Sequence, residues 1–424
     1  MRRVALLLAL VTLIDGCRSV EPRWAMFPAP IVMQDPRLDF TRFVAPENHT
    51  TVMEVLFATA RAPAPPNATE RYLGRPGDLI RLGVARVQLG EPGWSFTDLV
   101  ESDRTSTVET PRPAGVTSVE EYGAMGGPAD ETFIAAINRR VDASRRGQAV
   151  IYIPGYRVTF DEVMALMGGW AHYLGGAAAV VAFSWPSGTW AWDYFLDCRR
   201  ARAYTPDIER LVALIAEQSR ARQLNLVAFS CGSSLLAEAL VRLRARHPEE
   251  DHAALQQRHR IGNVIFVAAD LDLVTFARSH VPAISDLAVR TQVYVSADDW
   301  ALKFSALFAG TSRVGRPRRD ELTRADLETL ESNERFVGID VTDVEGAHEL
   351  DGKRGHGYWM ANQRVSTDVL LSMIYPFTPK QRGLTHKPGR SMWTFPDDYP
   401  RRVSDAVYEE RPDLRRSGST EPRP

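Results

Sequence analysis

Apolar positions along this chain follow two rhythms. Short apolar runs recur at 51–59, 80–89, 149–154, 179–185, 224–230, 263–269, 291–297 and 335–341. Several of the later ones, such as AVIYIP, LNLVAFS and NVIFVAA, are almost continuously apolar, as strands buried on both faces must be. The first two, TVMEVLFAT and IRLGVARVQL, alternate more and predict an antiparallel edge. From residue 148 onward, stretches of helical period fill the gaps: Phe160–Leu174, Pro206–Gln218, Gly232–Arg244 and Val365–Ile374. Strands alternating with helices predict an α/β fold. The expectation is one domain around a mostly parallel sheet of about eight strands, with an antiparallel N-terminal edge and helices on both faces.

The ends read differently. Arg2 and Arg3 precede an apolar run from Val4 to Ile14, which is a secretory signal in pattern and too short to span a bilayer. The following LIDGC resembles a lipoprotein box, with Cys17 as the lipidated residue and Asp15 departing from the usual small or apolar residue. Residues 1–17 are therefore expected to be a signal peptide, 18–50 a Pro-rich tether, 51–380 the folded domain and 381–424 a Pro/Arg-rich tail with a disordered end. The protein is expected in the cell envelope or periplasm, held to the membrane only through that N-terminal lipid.

Composition narrows the chemistry. Of 424 residues, 44% are hydrophobic and 25% charged, and 51 basic against 53 acidic residues leave a formal charge of −2. Nothing here calls for nucleic acid. Beyond Cys17 only Cys198 and Cys231 remain, too few for a disulfide framework, although an exported compartment would permit one bridge. No metal-ligand spacing occurs, so no metal and no cofactor is expected.

The informative segment is LNLVAFSCGSSLLAEAL, residues 224–240. An apolar strand runs into a serine, then small residues, then an amphipathic helix, the context in which a tight turn lifts a serine hydroxyl above a sheet. The turn reads Ala228-Phe229-Ser230-Cys231-Gly232, with alanine at the first glycine position of G-x-S-x-G. A serine needs a base held by a third group. Downstream, TQVYVSADDWAL offers Asp298 and Asp299 after one strand, and Asp270 and Asp272 follow the strand before it. His348 and His356 follow the final strand. Serine, acid and histidine thus come in the order this fold uses.

The stretch from 51 to about 376 resembles an uncharacterised bacterial, esterase/lipase-like branch of the α/β-hydrolase superfamily. The resemblance is carried by MEVLFATAR (53–61), IPGYRVTFDEV (153–163), AFSWPSG (182–188), the serine turn, YVSADDWAL (294–302) and GHGYW (355–359). It implies an α/β-hydrolase fold, Ser230 as nucleophile, Asp299 as the acid two residues before the Ala-Leu pair, and His356 as the base in a Gly-His-x-Tyr context. Asp298 is then expected to cap the following helix. The oxyanion donors would be the amides of Cys231 and of Tyr156 in Pro154-Gly155-Tyr156-Arg157, where relatives read His-Gly-Tyr-Asn. The resemblance implies hydrolysis of a small-molecule or lipid ester through an acyl-enzyme, the thiol of Cys231 taking no part. Two other readings share these residues: a decayed hydrolase fold serving as a binding or scaffold lipoprotein, and an acyltransferase using the same triad. The aromatic cluster Trp185, Trp190, Trp192, Tyr194 and Phe195 reads equally as an acyl pocket or a packed insertion.

Overall fold

The structure, a computed structural model, describes residues 24–188, 194–345, 355–386 and 391–416. Its frame is one sheet. In chain order the strands are β1 (Trp24–Met26), β2 (Val52–Pro63), β3 (Tyr72–Leu89), β4 (Arg112–Ala124), β5 (Gln148–Ile153), β6 (Ala178–Ser184), β7 (Gln223–Phe229), β8 (Ile261–Val267), β9 (Ala288–Val295), β10 (Phe336–Asp340), β11 (Thr385–His386) and β12 (Trp393–Thr394). In space they run β1-β4-β3-β2-β6-β5-β7-β8-β9-β10-β12-β11. From β2 to β12 the order is parallel; β3, β4, β1 and β11 pair antiparallel at the two ends.

Every residue of β5 and β8 is buried, as their unbroken apolar runs require when both faces are covered. Alternate side chains feed two cores. Val150, Tyr152, Val227 and Phe229 pack under the helices Phe160–Tyr173 and Gln363–Ile374. Ala149, Ile151, Leu226 and Ala228 pack under the helices Ala129–Ala143, Thr205–Gln218 and Gly232–Ala245.

The sheet is larger than the eight strands expected. β1, β11 and β12 have three or two residues each, too few to show a period. β4 carries Pro113, Gly115, Gly123 and two glutamates, and buries only Arg112, Ala114 and Val116, so its pattern reads as breakers and charge. The antiparallel N-terminal edge is present, and β2 joins it to the parallel part, pairing antiparallel with β3 and parallel with β6.

The expected tether and tail are built into the fold as well. Met26, Phe27, Val32 and Leu38 are buried, and the Ile31 amide donates to Thr367 Oγ1 at 2.7 Å. Prolines shape this segment, yet its spaced apolar residues supply burial that a solvated linker would lack. At the other end, Arg382 is wholly buried and the helix Tyr399–Glu410 inserts Tyr399, Val403 and Val407 into the core. The disordered end expected at 417–424 and the lipidation expected at Cys17 lie outside the described residues.

Candidate active site

The site begins with strain at one residue. Ser230 follows β7 directly and takes φ +51°, a left-handed conformation unusual for a side chain other than glycine. Its amide donates to the Val267 carbonyl of β8 at 3.0 Å, and its carbonyl accepts from the amides of Ser233 and Asp270. The turn is thus held by neighbouring strand and helix. A β-carbon on Gly232 would lie 2.4 Å from the Pro154 carbonyl oxygen, so the helix can start this close to β5 only with glycine there. Ala228 stands where the motif has its first glycine and is fully buried among apolar neighbours.

The residues singled out in sequence meet here. Ser230 Oγ lies 2.8 Å from His356 Nε2, and His356 Nδ1 lies 2.7 Å from Asp299 Oδ2. Asp299 is wholly buried and Ser230 3% exposed, while the His356 ring is partly open. In this geometry Asp299 accepts from Nδ1–H, which leaves Nε2 to take the serine proton.

The other carboxylates serve elsewhere. Asp299, not Asp298, caps the helix Trp300–Ala309, its Oδ1 accepting from the Leu302 amide at 2.9 Å. The cap expected of Asp298 is thereby corrected: Asp298 sits exposed one residue earlier, because Asp299 has one oxygen for each task. Asp270 is tied to Ser305 Oγ and Arg313, and Asp272 caps a short turn at Thr275. His348, Trp190 and Trp192 lie outside the described residues.

Two positioning groups were not legible as such. Tyr358, in GHGYW, is fully buried; its hydroxyl donates to the Tyr294 carbonyl of β9 and accepts from the Ala268 amide beyond β8. It pins the histidine turn to the tops of two strands. Burial holds its phenol well above the usual range, so it stays protonated. Cys231 forms a disulfide with Cys198 of the helix Tyr194–Ala201. The thiol is therefore engaged, and the bridge fastens that helix to the serine turn. Tyr194 packs edge-on to Tyr156, with ring centroids 5.3 Å apart, and Trp185 lies beyond.

The loop expected to supply an oxyanion donor runs Pro154–Val158. A β-carbon on Gly155 would stand 3.1 Å from Ser230 Cβ, so the loop approaches the serine closely. The Cys231 amide, at the start of the helix Gly232–Ala245, donates to no group among the described residues. Among those residues no cluster suited to a metal ion occurs, and no helix is long and apolar enough to cross a membrane.

A family model described as an alpha/beta hydrolase of unknown function (DUF900) matches residues 129–373. That is more than half of the 424 residues and takes in β5 through β10 together with Ser230, Asp299 and His356. No curated protein matches the chain. Sheet order, serine turn and family match agree, and the chain belongs to this family of alpha/beta hydrolases of unknown function.

Proposed function

We propose that this protein is a serine hydrolase acting on carboxylic esters, with Ser230 as nucleophile, His356 as general base and Asp299 as its orienting acid. The observation that carries this reading is the unbroken Ser230–His356–Asp299 hydrogen-bond chain with its two bonds of 2.8 and 2.7 Å. As Ser230 Oγ attacks the ester carbonyl, its proton passes to His356 Nε2. The tetrahedral oxygen faces the amides of Cys231 and Tyr156. Collapse expels the alcohol, which takes the proton from His356 and leaves an acyl-serine. Water, deprotonated in turn by His356, then releases the acid and restores Ser230. The intact relay favours this reading over a decayed scaffold.

The test is labelling by a fluorophosphonate probe alongside hydrolysis of p-nitrophenyl esters. The wild type labels and turns over, whereas Ser230→Ala does neither and keeps its melting temperature. Equal hydrolysis by Ser230→Ala would refute the assignment.

We also propose export and lipid attachment through Cys17. The basic and apolar N-terminus supports it, and so does the Cys198–Cys231 disulfide, a bond that persists in oxidising compartments. Incorporation of labelled fatty acid, lost in Cys17→Ser, is the expected result; unmodified soluble protein would contradict the anchor alone.

A further inference from the structure

We propose that Arg61 is a positioning residue for the oxyanion loop: its buried guanidinium clamps one end of Pro154–Val158 and lends that loop positive charge. The inference rests on the serine-hydrolase reading for its chemistry, and on hydrogen bonds alone for its geometry.

Arg61 lies near the end of β2, where the pairing with β3 slips on both sides, between Thr59 and Arg61 and again between Arg61 and Pro63. Such bulges re-aim side chains, and this one sends a guanidinium inward. Arg61 is 1% exposed. Its Nη2 donates to the Val158 carbonyl at 2.5 Å and to Ser187 Oγ at 3.3 Å, and its Nε donates to Ser184 Oγ at 2.9 Å. Ser187 Oγ adds a second hydrogen bond to the same Val158 carbonyl at 3.2 Å. At the other end of the loop, Trp185 Nε1 donates to the Pro154 carbonyl at 2.9 Å. The segment Ser184–Ser187 and Arg61 therefore grip both ends of the five-residue loop. Between the grips lie Gly155, Tyr156 and Arg157, the last at φ +62°. A loop with such a residue needs external support to hold one shape.

Arg61 also brings charge to the loop. No carboxylate forms an ion pair with Arg61 among the described residues; its hydrogen-bond partners are carbonyl and hydroxyl oxygens, and Glu70, Glu162 and Asp161 act on it only through space. Burial pushes it down to about 10, so it is still cationic at neutral pH. A buried charge without a paired anion is costly, and it persists where the surrounding polar atoms hold it. Behind a loop whose amides face a developing negative oxygen, it favours the transition state over the neutral ester.

The experiment compares the wild type with Arg61→Lys, Arg61→Gln and Trp185→Phe in the full chain, with active sites titrated by the fluorophosphonate. Arg61→Gln is expected to lower kcat per titrated site by roughly 10- to 100-fold with KM changed less than about threefold. It should weaken an alkyl trifluoromethyl ketone, which forms a tetrahedral adduct on the serine, by a similar factor. Arg61→Lys should recover part of both losses. Amide exchange at 155–158 should quicken in all three variants while the rest of the sheet keeps its protection. A folded Arg61→Gln with kcat within twofold of wild type overturns the proposal. So does exchange that quickens everywhere with kcat per site unchanged, which marks a merely structural arginine. If Arg61→Gln does not accumulate, Arg61→Lys and Trp185→Phe decide by the same readings. Failure of the wild type to label refutes the serine-hydrolase reading instead, and the exchange measurement still reports whether Arg61 clamps the loop.

Discussion

At Asp299 two hydrogen-bonding tasks fall on one carboxylate. Oδ2 meets His356 and Oδ1 caps the helix Trp300–Ala309. Substitutions separate these tasks, because asparagine caps a helix about as well as aspartate but cannot hold the histidine in the same tautomer. Asp299→Asn is expected to lower kcat on the order of 10³-fold or more with little change in melting temperature. Asp299→Ala should lose both the rate and about 1 kcal/mol of stability. Asp298→Asn should alter neither. Ester kinetics and thermal melts on the three variants check the assignment, and an inactive Asp298→Asn would move the acid by one residue. The choice between these neighbours was legible in sequence only through the Ala-Leu register. Nothing in the run Ala297-Asp298-Asp299-Trp300 says where the strand ends and the helix begins.

Among the elements, the helix His252–His259 carries a pH-sensitive group at its end. His259 is wholly buried, and neither ring nitrogen has a hydrogen-bond partner among the described residues. Burial, helped by His247 with its ring 5.3 Å away, pushes it down to about 4 from an ordinary 6.5. Between these values the unfolded chain binds the proton and the folded one does not. Stability is therefore full above about 6.5 and is lost as pH falls towards 4, by roughly 3 kcal/mol for this group. His259→Phe should flatten the acid side of a denaturation-midpoint profile between pH 6.5 and 4. An unchanged slope would show that another group dominates it.

On the scale of the whole molecule, polar groups tie the C-terminal segment to the sheet. Arg382 and Asp368 are both wholly buried, with Arg382 Nε 2.7 Å from Asp368 Oδ1. Asp368 Oδ2 also accepts from Tyr294 of β9 at 2.6 Å, and Arg382 donates to Gln292 at 2.8 Å. From Gln292 the network continues through Asn263 to Asn225 on β8 and β7. Removing one member of a buried ion pair leaves the other uncompensated, at about 3–5 kcal/mol. Arg382→Met is expected to lose that much in urea unfolding, and removal of everything after residue 376 should cost at least as much. Stability unchanged in Arg382→Met would show the network to be dispensable. The family match ends at residue 373, so Arg382 reaches from beyond the matched region to partners that lie within it.

What the sequence determined by itself is local. The strand-turn-helix around Ser230, the buried central strands and the segments that carry the acid and histidine candidates each lie in short windows, where hydrophobic period and turn chemistry act directly. Tertiary structure decided whatever depends on distant segments meeting. Ser230 and His356 are 126 positions apart, and His356 and Asp299 are 57. Cys198 meets Cys231 only because the helix Tyr194–Ala201 folds back over the serine turn. Arg61 reads as one more polar residue at a strand end until the bulge turns it towards the loop Pro154–Val158. The proline-bearing N-terminal segment and the arginine-rich C-terminal one likewise read as solvated ends. Their sparse apolar residues find burial only against a sheet assembled from elsewhere in the chain.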